Sequence, residues 1–333
     1  MKTVMLPQLL DGTVPRGVTE QLAAAAGDRH LTFDFSRVEF AYPLGILTFG
    51  REIRRAVELR RQQRQMTMVA GDDRSKPVHS FLSHVGFFDF IGLPYAKPIG
   101  AARGNDRYVP IRRFTRAEVG AFPGADSKRV RESIAAQSEG LAAVIAGGGP
   151  DAPAYWPLAY SIREVIRNVF EHSRADECFV TAQKWATGAV EMAVLDEGVG
   201  IRASLAEAVD CDSDAAALAM AVKAGVSRTA RASRAQNAHE NSGFGLYVLS
   251  ELGRCFGRFT LSSGSACMTS GTEGAAFPDS AAMSGTAVGL KLTNLPHSFS
   301  GTLDDIVMEG EKDAAENGRI RTASRASRSQ QLS

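Results

Sequence analysis

The stretch Arg163-Glu-Val-Ile-Arg-Asn-Val-Phe-Glu-His-Ser173 carries the residue pattern that decides the fold of this chain. It falls in a helical pattern over about residues 158–172, which places Glu164 and Asn168 four positions apart on one helix face. An amide oxygen is a hard ligand that suits Mg²⁺, and a carboxylate one turn away can accept a proton from a water that attacks a phosphate. Because the same pair is common on solvated helix faces, the motifs that follow must decide between a site and a surface.

A second polar motif follows one strand later. Residues 188–195 have the pattern of a strand and lead into Asp196-Glu-Gly-Val-Gly200. An aspartate in this position can accept a hydrogen bond from an amino group, and glycines let the backbone pass close to a ligand. Taken alone, the motif is equally typical of a hairpin turn.

A third motif, Gly243-Phe-Gly-Leu246, precedes the helical pattern of residues 247–252. Glycines at the start of a helix leave backbone N–H groups free to face phosphate oxygens, at the positive end of the helix dipole. A single Gly-x-Gly is a weak signal, but here it is the third motif in a series.

In this order and spacing the three motifs resemble the nucleotide-binding boxes of the GHKL superfamily, which includes gyrase B, MutL, histidine kinases and anti-sigma serine kinases. The resemblance covers about residues 108–295 and implies an α/β sandwich of the Bergerat type, with a mixed, mainly antiparallel sheet, that binds ATP and Mg²⁺. It implies that Glu164 orients or deprotonates the attacking water, that Asn168 holds Mg²⁺, and that Asp196 accepts a hydrogen bond from the adenine amino group.

The resemblance also implies further nucleotide contacts, from Gly198, Gly200, Gly243, Gly245 and Thr286. Thr286 belongs to a Gly-Thr pair that is similar to the last box of the family and would touch the adenine edge through water. An ordinary sheet threonine is the alternative interpretation.

Residues 202–242 correspond to the ATP lid of the family. We expect a helix over residues 215–224, and we expect residues 225–241, which are rich in Ser, Arg and Asn, to order when nucleotide binds. The lid carries a positive cluster that is a candidate for contact with the γ-phosphate and, equally, for ordinary solvation. Its members are Lys223, Arg228, Arg231 and Arg234.

The first 100 residues alternate between strand and helix patterns. Strand signals at residues 31–40 and 66–70 are followed by helix signals at residues 44–64 and from Pro77 onward, which predicts parallel strands with crossover helices. The first of these helices carries an arginine face that we expect to be solvated. It comprises Arg51, Arg54, Arg55, Arg60, Arg61 and Arg64.

The runs Leu31-Thr-Phe-Asp-Phe-Ser-Arg-Val-Glu-Phe40 and Val85-Gly-Phe-Phe-Asp-Phe90 resemble a STAS domain, the fold of anti-sigma-factor antagonists. In regulatory STAS proteins a phosphorylatable serine opens the helix after the second strand. Here that place holds Ala41-Tyr-Pro-Leu-Gly45, without a serine. The resemblance therefore implies a docking unit over residues 1–100 rather than a phosphorylation switch.

The length of 333 residues fits two domains and a tail. We expect a linker at residues 101–107, an ATP-binding domain at 108–297 and a polar, disordered tail at 298–333. Within the second domain the pattern predicts an edge strand at residues 108–111 and a long helix at 127–145.

Composition narrows the partners. A net charge of +1 gives no overall field for nucleic acid or an anionic membrane, so we expect neither as a partner. The four cysteines are dispersed, without metal-ligand spacing, and no apolar run is long enough to span a membrane. These features predict reduced thiols and a cytoplasmic location.

Three functions fit the motifs. The first is a Mg²⁺-dependent ATPase whose nucleotide state controls lid closure and association with a regulatory protein partner or with a second copy in a homodimer. The second is a serine/threonine protein kinase of the anti-sigma type, for which the missing serine removes the obvious substrate in the same chain. The third is a binding module that holds ATP without hydrolysing it.

Overall fold

The computed structural model describes residues 2–73, 75–93, 99, 104–105, 107–121, 126–206, 208–226, 243–295 and 298–319. Over these residues the protein is an α/β structure with one seven-stranded antiparallel sheet and two small parallel sheets. No helix in this part of the chain combines the length and apolarity needed to cross a bilayer.

The N-terminal unit is built around a three-stranded parallel sheet in the order β1-β3-β5. Its strands are β1 (Lys2–Met5), β3 (His30–Asp34) and β5 (Met66–Ala70), and a separate pair joins β2 (Leu9–Leu10) to β4 (Phe40–Ala41). Its helices are α1 (Arg16–Ala24), α2 (Pro43–Gln62), α3 (Pro77–His84) and α4 (Phe87–Phe90). The predicted alternation of parallel strands with helices is therefore confirmed.

The strand expected over residues 31–40 ends earlier, at Asp34. The Asp34 carboxylate accepts a 2.8 Å hydrogen bond from the Ser36 N–H, and this local bond turns the chain out of the sheet. Phe40 then lies in β4 and pairs with β2 instead of continuing β3.

Helix α2 begins at Pro43, a favoured residue for the first helical turn, and buries apolar side chains along most of its length. Gly45 makes this close packing possible, because a Cβ there would lie 2.0 Å from the Leu10 carbonyl oxygen. The prediction of a solvated arginine face is wrong for Arg51 and Arg60, which are both buried. The Arg60 guanidinium instead donates to the carbonyl oxygens of Ala25, Asp28 and Met66 and so satisfies the loop ends around it.

The large sheet has the strand order β11-β10-β9-β12-β8-β7-β6, and every neighbouring pair is antiparallel. Its strands are β6 (Tyr108–Thr115), β7 (Glu177–Lys184), β8 (Val190–Asp196), β9 (Gly257–Gly264), β10 (Ala266–Gly271), β11 (Gly274–Ala276) and β12 (Met283–Leu292). The prediction of an edge strand at residues 108–111 is confirmed by β6, which includes Pro110 and lies at the edge of the sheet.

Helices cover one face of this sheet. They are α5 (Ser127–Ala146), α6 (Tyr155–Asn168), α7 (Gly200–Leu205), α8 (Asp214–Ala221), α9 (Gly245–Phe256) and α10 (Phe299–Glu316). The helix predicted at residues 127–145 is confirmed by α5. Of the helix predicted at residues 215–224, α8 confirms residues 215–221. The α5 helix ends at Gly147, which adopts φ 73° as the C-terminal cap.

The opposite face of the sheet packs on α2 of the N-terminal unit. Phe179, Ala193, Leu195 and Ala287 point to that side and belong to the same apolar core as the N-terminal residues. Because strand side chains alternate, the neighbours Val194 and Val288 belong to the other core, beneath α6 and α9. The two units therefore share one sheet, which is buried on both faces.

The prediction of a disordered tail at residues 298–333 is wrong for α10. This helix starts at a Ser298 cap, whose hydroxyl accepts from the Gly301 N–H, and it buries Phe299, Leu303 and Val307 in the main core. Apolar residues at helical spacing are enough to hold a segment whose average composition is polar. Residues 320–333 lie outside the described part of the chain.

Candidate functional site

A cleft with about 810 Å³ of empty space opens between α6, the ends of β8 and β12, and the start of α9. Five of the residues predicted from the motifs line it. They are Asn168, Asp196, Gly243, Gly245 and Thr286. Most of the lining is apolar, with few polar groups, as is typical of small-molecule sites.

Asn168 lies where α6 changes its winding. The helix continues from Val169 to Ser173 as a π-helical turn, and Arg174 then ends it with φ 59°. Single π-helical turns recur at functional sites because they re-aim side chains within a helix. Here Asn168, His172 and Ser173 all reach the cleft.

Asp196 is the last residue of β8 and is almost fully buried in the cleft wall. Its Oδ1 atom accepts a 2.8 Å hydrogen bond from the Gly198 N–H, and Thr286 is its cross-strand partner on β12. Burial raises the pKa of Asp196 to about 6, although the Gly198 N–H and the hydroxyls of Ser173 and Thr286 favour the ionised form. At neutral pH the cleft therefore contains a desolvated carboxylate that attracts N–H donors.

Gly198 and Gly200 are not part of the cleft lining; they shape the loop behind it. A Cβ at Gly198 would lie 2.1 Å from the Ser173 carbonyl oxygen, so only glycine allows this loop to pack on the end of the π-helical turn. Gly200 starts α7 with φ 79°, a conformation that other residues rarely adopt. The fold of this loop thus explains why glycine occupies both positions, although neither residue lies at the cleft surface.

Gly243 and Gly245 lie at the cleft where α9 begins. Gly243 has φ 73°, and a Cβ at Gly245 would lie 2.7 Å from the Glu164 Oε2 atom. The helix start consequently comes within contact distance of the Glu164 carboxylate, and, as at any helix start, its first N–H groups have no partner within the helix.

Glu164 is fully buried and does not line the cleft. Its Oε2 atom lies 2.8 Å from Arg167 Nη2, and its Oε1 atom lies 3.3 Å from Arg163 Nη2. Two guanidinium groups hold the carboxylate beneath Gly245, so Glu164 is close to the start of α9 but is engaged in ion pairs.

Sequence reasoning did not single out His172, Ser173 and Ser204, which also line the cleft. His172 lies four residues after Asn168, so helical spacing alone would have found it. Ser173 lies five residues after Asn168 and would leave that face of an ordinary α-helix. Only the π-helical turn brings it to the cleft.

The lid residues are only partly placed. Lys223 is exposed and does not line the cleft. The predicted cluster members Arg228, Arg231 and Arg234 lie outside the described residues.

The described residues offer few ligands for a metal ion. Within the described ranges no group of three or more His, Cys, Asp or Glu side chains is arranged to hold one. One amide ligand, Asn168, fits an ion that arrives with nucleotide phosphates, since Mg²⁺ commonly keeps several waters and takes few protein ligands.

No family model, curated protein or solved structure matches this chain. The assignment of function therefore depends on the arrangement of the cleft and on the motifs that build it.

Proposed function

We propose that this chain binds ATP with Mg²⁺ in the cleft, in the manner of a GHKL-type regulatory ATPase. The observation that carries the proposal is the convergence of three separate motifs and β12 on one cleft: Asn168, Asp196, Gly243 with Gly245, and Thr286. These residues span more than one hundred positions of sequence, so a chance pattern on solvated surfaces would not bring them together.

The two ends of the cleft differ in chemistry as a nucleotide requires. At one end the Asp196 carboxylate and Thr286 stand beside the apolar Val194 and Val288, which suits a purine ring with an amino group to donate. At the other end the start of α9 offers N–H groups to phosphate oxygens, and Asn168 would hold the Mg²⁺ that neutralises them.

Hydrolysis requires more of the site than binding. In the proposed ATPase, Glu164 accepts a proton from the attacking water, and for this its carboxylate must turn from Arg167 toward the cleft. The nucleotide state would then set lid closure and the association with a protein partner or a second copy.

One observation favours a second candidate, the module that binds ATP without turnover. The Glu164 side chain is fully buried and paired with Arg163 and Arg167. Because the carboxylate does not line the cleft, it cannot contact a water there unless this pairing is broken.

Calorimetry with ADP and with a non-hydrolysable ATP analogue, each with Mg²⁺, tests the binding proposal. We expect Asp196→Asn and Asn168→Ala to lower affinity tenfold or more. Asp176→Asn, at a side chain that is 97 % exposed, is the matched control and should bind as the wild type does. A wild-type protein that gives no heat with either nucleotide would overturn the proposal.

Labelled γ-phosphate then separates the candidate activities. Phosphate release that stops in Glu164→Gln while binding persists supports the ATPase. Label on a protein serine would indicate the kinase, and bound but intact ATP would indicate the module without turnover.

A further inference from the structure

The N-terminal unit reaches the back of the nucleotide cleft through two arginines of α2. Arg51 and Arg54 both pair with Glu197, the residue directly after Asp196. Arg51 Nε lies 3.4 Å from Glu197 Oε1, and the Arg54 guanidinium donates a hydrogen bond to Glu197 Oε2. We refer to Arg51, Arg54 and Glu197 as the α2 clamp.

The clamp also holds the strand beside β8. The Arg51 guanidinium donates to the Ser284 hydroxyl on β12, two residues before Thr286. Between Ser284 and Thr286, Gly285 packs closely on the end of the neighbouring strand β8. A Cβ at Gly285 would lie 2.1 Å from the Asp196 carbonyl oxygen. Arg51 also pairs with Glu52 on its own helix. This one buried side chain of α2 thus contacts the ends of both strands that carry the residues for the base.

The surroundings of Arg54 keep water away from part of the clamp. Its guanidinium carbon lies 4.7 Å from the Phe90 ring centroid and 4.6 Å from that of Phe179. Phe90 belongs to the N-terminal unit and Phe179 to β7, so the arginine is stacked between the two units. Stacking and partial desolvation strengthen its attraction to Glu197 relative to a pair on an open surface.

We infer that the α2 clamp sets the purine selectivity of the cleft by positioning the Asp196 carboxylate, an inference that rests on the proposed ATP binding. Glu197 is joined to Asp196 by one peptide unit, so a shift of Glu197 away from α2 turns the carboxylate that would accept the adenine amino group. Loss of the clamp should therefore affect recognition of the base more than recognition of the phosphates.

A comparison of ADP with inosine diphosphate tests this. Inosine diphosphate has the same sugar and phosphates but carries a carbonyl oxygen where adenine carries its amino group. The variants are Arg54→Met, which keeps much of the stacked aliphatic chain, Glu197→Gln, which keeps the shape of a half-exposed side chain, and the double variant. Arg55→Met, on the exposed side of the same helix, is the matched control.

We expect Arg54→Met and Glu197→Gln each to weaken ADP binding about fivefold or more, the lower end of typical coupling between sites. Binding of inosine diphosphate should change less than about twofold, so the selectivity ratio falls. The double variant should be no weaker than the weaker single variant, because both changes remove the same contact. Arg55→Met should keep the wild-type ratio.

The outcomes separate this inference from the proposed function. If wild type binds ADP and Asp196→Asn does not, while the two clamp variants keep the wild-type selectivity ratio, the inference is wrong and the proposed function stands. If ADP and inosine diphosphate weaken equally, the clamp serves general stability and the inference is again wrong. If wild type binds neither nucleotide, the proposed function fails first.

Discussion

The raised pKa of Asp196 leads to a prediction about the stability of the protein that does not depend on any ligand. Its pKa is raised from 3.8 to about 6, chiefly because burial disfavours the charged form. A carboxyl with a raised folded-state pKa stabilises the fold fully below its unfolded pKa, and this contribution is lost as pH rises through the folded pKa. The ionised Asp196 therefore destabilises the unliganded protein at neutral pH.

The magnitude follows from the shift. A difference of roughly 2 pH units corresponds to about 3 kcal/mol, at 1.36 kcal/mol for each unit. Asp196→Asn removes the charge while its amide oxygen can still accept the Gly198 N–H. The unfolded-state carboxyl is already partly titrated at pH 4, so between pH 4 and pH 8 the stability of the variant relative to wild type should rise by about 2.5 kcal/mol.

Urea unfolding at pH 4, 5, 6, 7 and 8, followed for wild type and Asp196→Asn side by side, measures this difference. Every other titrating group is common to both proteins, so subtraction isolates Asp196. A difference that stays constant within about 0.5 kcal/mol over this range would refute the reasoning. ADP affinity gives a second check: titration of the ADP phosphate is common to both proteins, so the ratio of wild-type to variant affinity should fall below about pH 6.

Three further predictions concern other parts of the chain. Leu303→Ala in α10 should lower the free energy of unfolding by about 2–5 kcal/mol because the side chain is fully buried. Met308→Ala, on the exposed face of the same helix, should change it by less than about 0.5 kcal/mol. Equal effects in urea unfolding would contradict the packing of α10. Gly245→Ala should destabilise the protein by about 1–3 kcal/mol and weaken nucleotide binding, because its Cβ would meet Glu164 Oε2 at 2.7 Å. Gly140→Ala, with open space around it in α5, should stabilise the protein by about 0.5–1 kcal/mol. Thermal unfolding measures both variants, and a neutral Gly245→Ala would speak against the close contact. Burial raises the pKa of Glu171 to about 7, so the stability of Glu171→Gln relative to wild type should rise as pH rises from 5 to 8. A difference in the free energy of unfolding that shrinks over this range would argue against a buried neutral carboxyl.

The motifs predicted most of the cleft because its geometry follows from local patterns. Helical spacing places Asn168, the end of a buried strand places Asp196, and a glycine before a helix places Gly245. What the sequence could not indicate was the π-helical turn that adds Ser173, since no residue type marks that change in winding. The pairing of Glu164 with Arg167 was also not foreseen, although these residues lie three positions apart on one helix.

The arginines of α2 show a second limit on what a local sequence pattern can predict. Five of the six arginines lie on α2, and their number predicts a solvated face; Arg55 is indeed exposed. Arg51 and Arg60 are buried, and several of their partners come from distant parts of the chain: Ser284 and Glu197 for Arg51, and the carbonyl oxygens of residues 25 and 28 for Arg60. Burial of a charge depends on partners that meet only in the folded state, so no local pattern reports it.

The shared sheet changes how the two units should be understood. A boundary at residues 101–107 would separate two independent domains only if each could bury its own apolar surface. Phe179, Leu195 and Ala287 belong to β7, β8 and β12, yet they are buried by α2. The unit built on the large sheet thus needs α2 as a second layer, and α2 also contacts Glu197 beside Asp196. Coupling between two sites acts in both directions. Under the proposed function, a partner that displaced α2 would therefore lower nucleotide affinity, and bound nucleotide would oppose that partner by the same factor.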